Sequence, residues 1–423
     1  MEKRKLLVSM MIAGGLAAPA AHATNGYFSD GYGIKSEGMG GVGIAFPQDA
    51  IAAATNPAGM VIVGDRIDFG IDLFRPDRSA QIVGNGGGLN QSLDGNGKSN
   101  FLIPSFGYNR MMSPNYSLGV SVYGNGGMNT TYTTPVNAFG TTNAGVDMSQ
   151  LIVAPTWSMK LDQNNAIGVS LNLAYQSFAA SGAQNFNNTF YTSSPGSVTD
   201  LGHDHSTGYG LRLGWIGQVS DAVSLGATYQ TKTRMSKFNT YQGFFANQGE
   251  FDIPANYGVG IAVKTTPALT IAADVERILY SGVSSVANPL LPALGNPATL
   301  LGSAGGSGFG WTNQTVYKLG ASYKYQPNLV LRAGFNYGKS PIPSSQTFFN
   351  IFAPATVEDH LTLGATWTLA DKSEISVAYM HAFTKTINGS GSIPNNCPGL
   401  QCFGGGEANL TMHEDSLGIS YGW

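Results

Sequence analysis

From residue 66 to the end, the chain repeats short runs in which large apolar residues alternate with small or polar ones. "RIDFGIDLF" sets Ile67, Phe69, Ile71 and Leu73 on one side and Asp68, Gly70 and Asp72 on the other. "AIGVSLNLAYQ" does the same with Ile167, Val169, Leu171, Leu173 and Tyr175. The pattern returns in "VSLGATYQ", "LVLRAGFNYG", "HLTLGATWTL", "EISVAYMHAF" and "SLGISYGW"; in the last, Leu417, Ile419, Tyr421 and Trp423 share the apolar side. Successive strand side chains point to opposite faces, so this period predicts β-strands with one apolar face.

The connections say which kind of sheet. Turn-rich short ones ("MMSPN", "LDQNN", "VSDA", "KTTPA", "YQPN", "LADKS") alternate with long ones near 77–98, 127–148, 179–205, 235–252, 281–313, 339–356 and 385–410. Seven long and six short connections join about fourteen strands. Short turns on one side, long loops on the other and strands of about 9–11 residues make the outer-membrane pattern. An even count leaves both chain ends of the barrel on the periplasmic side. Composition agrees. Charged residues are 11% of the chain, against about 25% in soluble domains, yet mean hydropathy is near zero. Alternation explains both, because lipid-facing and lumen-facing residues average out. The expected fold class is all-β: a transmembrane antiparallel barrel of about fourteen strands over residues 64–423. A soluble sandwich or secreted solenoid is the competing architecture, but it gives no reason for the regular Tyr, Trp and Leu on the outer face. A net charge of −3 argues against a nucleic-acid partner.

Residues 1–23 read as a signal peptide: basic "MEKRK", an apolar core and the small-x-small site "AHA". Residues 24–63 show no alternation and are rich in Gly and Ala. They carry Ile44, Phe46, Ile51, Met60, Val61 and Ile62, too much apolar surface for a disordered tail. A fourteen-stranded lumen is wider than side chains fill and narrower than the open porins. The segment is therefore expected to plug it, with Asn56, Pro57 and Ala58 as a local turn.

Candidate site residues follow from position. The third strand, "YSLGVSVYGNGGMNTTY", alternates until Gly124, Asn125, Gly126 and Gly127, where it either bulges and breaks or ends at Tyr123. Long loops carry Phe238, Phe244, Phe245, Leu290, Leu291, Leu294, Phe348 and Phe349. Exposed at the rim they would capture a hydrophobic substrate; packed together they would only cap the barrel. Inward strand positions hold Arg212, Lys318, Lys324 and Arg332 beside Asp68, Asp72, Asp274 and Glu276. These cations either meet a substrate carboxylate or fix the plug to the wall. Cys397 and Cys402 are expected to form a disulfide in an oxidising compartment, worth about 2 kcal/mol. "HDH" at 203–205 reads as a solvated loop, and no metal or cofactor is expected. A lipase would need a serine activated by His360 or His381; an adhesin or phage receptor is a further alternative to transport.

The segment "GYFSDGYGIKSEGMGGVGIAFPQDAIAAATNPAGM", the passage "LRAGFNYGKSPIPS" and the strand "VEDHLTLGATW" resemble the long-chain fatty-acid outer-membrane transporter family (FadL-like), which includes hydrocarbon transporters. The resemblance spans the mature chain, and Asn56-Pro57-Ala58 is its most specific piece. It implies a monomeric barrel with an N-terminal hatch, passive uptake of hydrophobic molecules and sideways release through a kinked third strand at Gly124–Gly127. The partners expected are a hydrophobic small molecule, the bilayer and lipopolysaccharide.

Overall fold

The computed structural model describes residues 24–290, 296–395 and 403–423. Among them one antiparallel sheet closes on itself. Fourteen strands form its wall: β1 Arg66–Val83, β2 Phe101–Ser113, β3 Tyr116–Pro135, β4 Asn143–Lys160, β5 Asn165–Ser181, β6 Asp204–Ser220, β7 Val223–Gln230, β8 Asn256–Lys264, β9 Leu269–Ile278, β10 Gln314–Gln326, β11 Leu329–Gly338, β12 Asp359–Thr368, β13 Glu374–Ile387 and β14 Glu407–Gly422. Two short strands, Gln91–Asp94 and Arg234–Met235, pair with β1 and β6 near the rim. Each wall strand pairs with its sequence neighbours, and β14 returns to β1 in register from Asp68–Gly422 to Val83–Glu407. Trp423 extends that seam by exchanging backbone hydrogen bonds with Ile67 at 2.9 Å.

The alternation is realised residue by residue. Ile71, Leu73, Leu171, Leu173, Leu361, Leu363, Leu417 and Ile419 point outward and are exposed, while Asp68, Asp72, Ser170, Asn172, Thr362 and Ser416 point inward and are buried. An outer belt of apolar residues and an inner face of small polar ones is what a bilayer demands, since closure leaves no unpaired edge in hydrocarbon.

Two expectations change. The stretch 127–148 is not one loop: β3 runs to Pro135 and β4 starts at Asn143. Strands also reach 20 residues in β3 and 18 in β1 and β4. The outward positions Asp147 and Ser149 lie on the rim side of the belt residues Leu151 and Val153, so a strand continues beyond the bilayer without apolar alternation to mark it.

Residues 24–63 lie against the inward face of this wall, and two devices hold them. Glycines at inward positions give them room. A Cβ on Gly168, Gly214, Gly226, Gly320, Gly334 or Gly418 would come within 2.4 Å of the segment. Wall side chains then satisfy its irregular backbone, which could not otherwise be buried. Asp274 accepts from the N–H groups of Gly43 and Ile44 at 2.8 and 3.0 Å. Asp68 accepts from Ala50 N–H at 2.8 Å, Thr362 from Gly40 N–H at 2.7 Å, and Asn109 donates to Met60 O at 2.6 Å.

Candidate functional site

Asn56 is fully buried and ties the segment together. Its Oδ1 accepts from Ala58 N–H at 3.1 Å, capping the 3-10 turn Pro57–Gly59. Its Nδ2 donates to Ile44 O at 2.7 Å within the segment and to Trp215 O at 3.0 Å on β6. Proline suits the first position of that turn because its missing N–H would have no partner there.

Three of the four cations expected inward face the segment or its support, whereas Lys324 is exposed beside the short turn that ends β10. Arg212 donates to Gln230 Oε1 at 2.6 Å and to Thr55 O at 3.0 Å. Arg332 donates to Gln48 Oε1 at 2.8 Å and Thr366 Oγ1 at 2.7 Å. Lys318 pairs with Glu276 at 3.2 Å. Arg212 and Arg332 thus bond the segment to the wall, while Lys318 pairs within the wall.

Gly124–Gly127 sit in a bulge, and β3 does not end at Tyr123. Its register against β4 shifts between Gly124 and Gly126, leaving Asn125 unopposed. On its other side the pairing of β2 with β3 runs from Ser113–Tyr116 only to Phe106–Val122. Beyond that, Phe101–Ser105 of β2 remain paired with β1 but not with β3. The wall therefore parts into a window. Pro104, which lacks an N–H, lies in this unpaired run, where a proline costs no ladder bond. Ile71 and Leu73 of the outer belt sit opposite Pro104 and Leu102, so the window is at belt height.

The window has a frame and a filling. Above it, Gly95 N–H donates to Arg78 O, Thr131 N–H to Gly95 O and Gly97 N–H to Thr131 O, and the buried Arg78 guanidinium bonds Asn129 O and Lys98 O. Inside it, Gly127 N–H donates to Tyr27 O at 3.1 Å and Ser29 N–H to Asn125 O at 3.3 Å. Tyr32 Oη donates to Asn125 O at 3.1 Å. A Cβ on Gly126 would lie 1.7 Å from Tyr27 O, so only glycine permits this approach. A small cavity at the inner mouth is lined by Ser29, Tyr32, Ile34, Glu37, Asp72, Ile103, Pro104 and Tyr123 among others. Burial pushes the Glu37 carboxyl well above its usual range, with Asp72, Asp30 and Asp49 adding to the effect. Burial likewise raises Asp30 to about 6, against the pull of Lys318. Pro104, Tyr32 and Tyr123 escaped the sequence reading; a proline inside the strand "FLIPSFGY" was the one available signal.

The loop aromatics form a cap, and their exposure is corrected. Phe238, Phe244, Phe245, Leu290, Phe348 and Phe349 are at most 1% exposed. They interlock: Phe178 meets Phe245 at 4.5 Å between ring centroids, Phe139 meets Phe352 at 4.6 Å and Phe244 meets Phe349 at 5.4 Å. Rings in irregular loops gain more from packing on each other than from water. The cluster continues into the N-terminal segment through Tyr27, whose ring lies 5.8 Å from Phe251 and 5.9 Å from Trp311. Leu291, Leu294, Cys397, Cys402 and the signal peptide lie outside the described residues.

Neither histidine pairs with a serine hydroxyl among the described residues. His360 Nδ1 meets Asn336 O at 3.3 Å and His381 Nδ1 meets Asp415 at 2.9 Å. The stretch 203–205 is not a loop but enters β6 at Asp204: His203 lies 3.5 Å from Asp147, and His205, on the strand, bonds Tyr175 Oη at 2.7 Å.

A family model described as outer membrane protein transport protein (OMPP1/FadL/TodX) matches residues 16–392. The chain belongs to the FadL/TodX family. Its members are outer-membrane transport channels for hydrophobic compounds, which places this barrel in the bacterial outer membrane. Solved structures share the fold. The Pseudomonas putida toluene transporter TodX is 18% identical with a TM-score of 0.67, covering 93% of this chain and 98% of its own. A Pseudomonas aeruginosa FadL homologue is 17% identical with a TM-score of 0.69, covering 96% and 99%. The Ralstonia pickettii toluene transporter TbuX is 19% identical with a TM-score of 0.64, covering 93% and 98%. No curated protein matches the chain by sequence.

Proposed function

We propose that this chain takes up hydrophobic molecules passively and releases them sideways into the membrane. In this reading the loop cap, with Phe238, Phe244, Phe245, Leu290, Phe348 and Phe349, parts to admit the molecule. Residues 24–63 act as a plug that closes the lumen to water. The molecule passes along Tyr27–Tyr32 and leaves through the window between β2 and β3.

The observation that carries the reading is the wall pairing that stops at Phe106–Val122, at belt height, beside the bulge Gly124–Gly127. An apolar solute released into the periplasm loses about 0.8 kcal/mol per methylene, roughly 10 kcal/mol for a twelve-carbon tail. A window in the belt avoids that loss, and backbone groups left unpaired by it are tolerated where they line a cavity or meet protein. Tyr27, Ser29 and Tyr32 supply such partners.

Gly124→Phe tests the route. Gly124 is buried and lines the cavity at the window, so a phenyl ring there crowds the passage. Uptake of dodecane or an alkylbenzene by cells expressing the variant is expected to fall at least about tenfold, the penalty of crowding a narrow passage by 1.4 kcal/mol or more. The barrel should still fold, as read from heat-modifiable electrophoretic migration. Wild-type uptake in a folded Gly124→Phe protein means that substrate leaves by another route.

A further inference from the structure

The window raises a question beyond its route: which charge can a molecule carry through it? The inner mouth offers two tyrosine rings, Tyr32 and Tyr123, with centroids 4.9 Å apart, and the apolar faces of Ile103 and Pro104. Its ionisable groups are carboxyls, Glu37 and Asp72, and no Lys or Arg is among the lining residues. Asp72 accepts from Ser416 Oγ at 2.6 Å, and the neighbouring Asp30 keeps one buried carboxyl oxygen, Oδ2, without a hydrogen-bond partner. Cations elsewhere in the lumen are engaged: Lys35 and Arg66 share Glu374 at 2.5 Å each, Lys318 holds Glu276, and Arg212 and Arg332 hold amide, hydroxyl and carbonyl groups. Arg78, in the frame above the window and outside the cavity lining, donates to Asn129 O and Lys98 O and leaves its Nε without a partner among the described residues.

We infer, resting on the transport reading above, that the window selects neutral hydrophobic molecules (alkanes, alkylbenzenes, long-chain alcohols) and rejects those carrying a free carboxylate. A carboxylate taken out of water needs a cation or several donors to replace its hydration. Ionised, Glu37 and Asp72 repel it; protonated, each supplies one O–H but no compensating charge. A neutral chain of the same length makes the same apolar contacts without that penalty. A terminal hydroxyl also finds carboxyl oxygens to accept its proton.

The test compares ligands that differ in the head group alone. Radiolabelled 1-dodecanol and dodecanoate are presented at pH 8 to the purified full chain in detergent, with uptake into expressing cells as a second readout. Dodecanol is expected to bind at least tenfold more tightly and to enter faster. Dodecanoate binding as tightly as dodecanol, or better, overturns the inference while leaving transport intact. Neither ligand binding or entering overturns the transport reading, and the inference with it. Glu37→Lys supplies the missing cation and should bring the two ligands within threefold. In a folded Glu37→Lys protein, undiminished preference for dodecanol shows that selection arises elsewhere, which also overturns the assignment. The wild-type comparison discriminates whether or not that variant folds.

Discussion

Two seams of the same wall solve the problem of an exposed strand edge differently. At the β14–β1 seam, where the chain's last strand meets its first, pairing continues from Asp68–Gly422 to Val83–Glu407 without a shift. At β2–β3, joined by a short turn, pairing starts at Ser113–Tyr116 and stops at Phe106–Val122. The sequence-local seam is the one left open. Loop-closure entropy favours the hairpin, so its incompleteness does not reflect difficulty of formation. The edge is instead covered from inside by residues 27–32, held by a few backbone bonds, the Tyr32 hydroxyl and the packing of Tyr27 and Phe28 in the aromatic cluster. A full strand ladder is cooperative and hard to open locally, whereas a cover held mainly by side-chain packing comes away without breaking any wall ladder. Strength at one seam and a separate cover at the other are what the proposed sideways release requires.

Removing the cover altogether should have the largest effect. Deleting Thr24–Val63 takes away the atoms that pack on Gly168, Gly214, Gly226, Gly320, Gly334 and Gly418. The β14–β1 seam keeps its own backbone ladder, so the barrel is expected to remain closed and heat-modifiable. Ion conductance in planar bilayers should rise by orders of magnitude, from near silence to a steady porin-like level. Unchanged conductance would mean that residues 24–63 do not seal the lumen.

A smaller effect separates the cover from the rest of the segment. Gly126→Val sets a Cβ 1.7 Å from Tyr27 O and cannot coexist with the present docking. Residues 27–29 should lift off, losing two backbone bonds at about 1 kcal/mol each, while Asn56 and the wall bonds of residues 40–60 hold. Brief conductance bursts are expected, well below the level of the deletion, together with proteolytic sensitivity confined to residues near 27–32. A variant as silent and protected as the wild type would show that the docking at Gly126 is not what covers the window.

How far these features were legible depends on where their cause lies. The strand period, the alternation of short and long connections and the count near fourteen are local and were read directly. So was the glycine-rich break in β3, although its pairing partner was not. Inward glycines such as Gly214 and Gly334 look like any small lumen residue; their role appears only when Asn56 and Gly40 arrive against them. The loop phenylalanines left two readings open for a related reason: sequence shows their number, but not that each has another ring to meet. Strand parity put Arg212, Lys318 and Arg332 inside but failed for Lys324, exposed at the strand end, and only the fold could supply Thr55 O, Glu276 and Gln48 as partners. Pro104 marks the unpaired run of β2, but nothing local distinguishes it from an ordinary edge proline.

The smallest expected effect uses pH to loosen one region and spare the other. Asp30 and Asp49 are buried in the N-terminal segment, and burial raises each carboxyl to about 6 from a usual 3.8. For Asp49 the nearby Asp68 adds to the rise. The docked segment therefore holds these protons more tightly than an undocked one does. By linkage, the docking free energy they contribute is fully present below about pH 4 and is lost as pH rises through 6. The β14–β1 seam also carries buried carboxyls, Asp72 and Glu414, but its continuous backbone ladder does not itself titrate. Amide exchange, corrected for its intrinsic pH dependence, should show protection of residues 24–63 falling several-fold between pH 5 and pH 8. Amides along Phe69–Val83 should keep theirs. If both regions lose protection together, the barrel as a whole is responding. If the segment tightens as pH rises, its ion pairs such as Lys35–Glu374 outweigh the buried acids, and the cover is then held by charge pairing more than by glycine packing and backbone bonds.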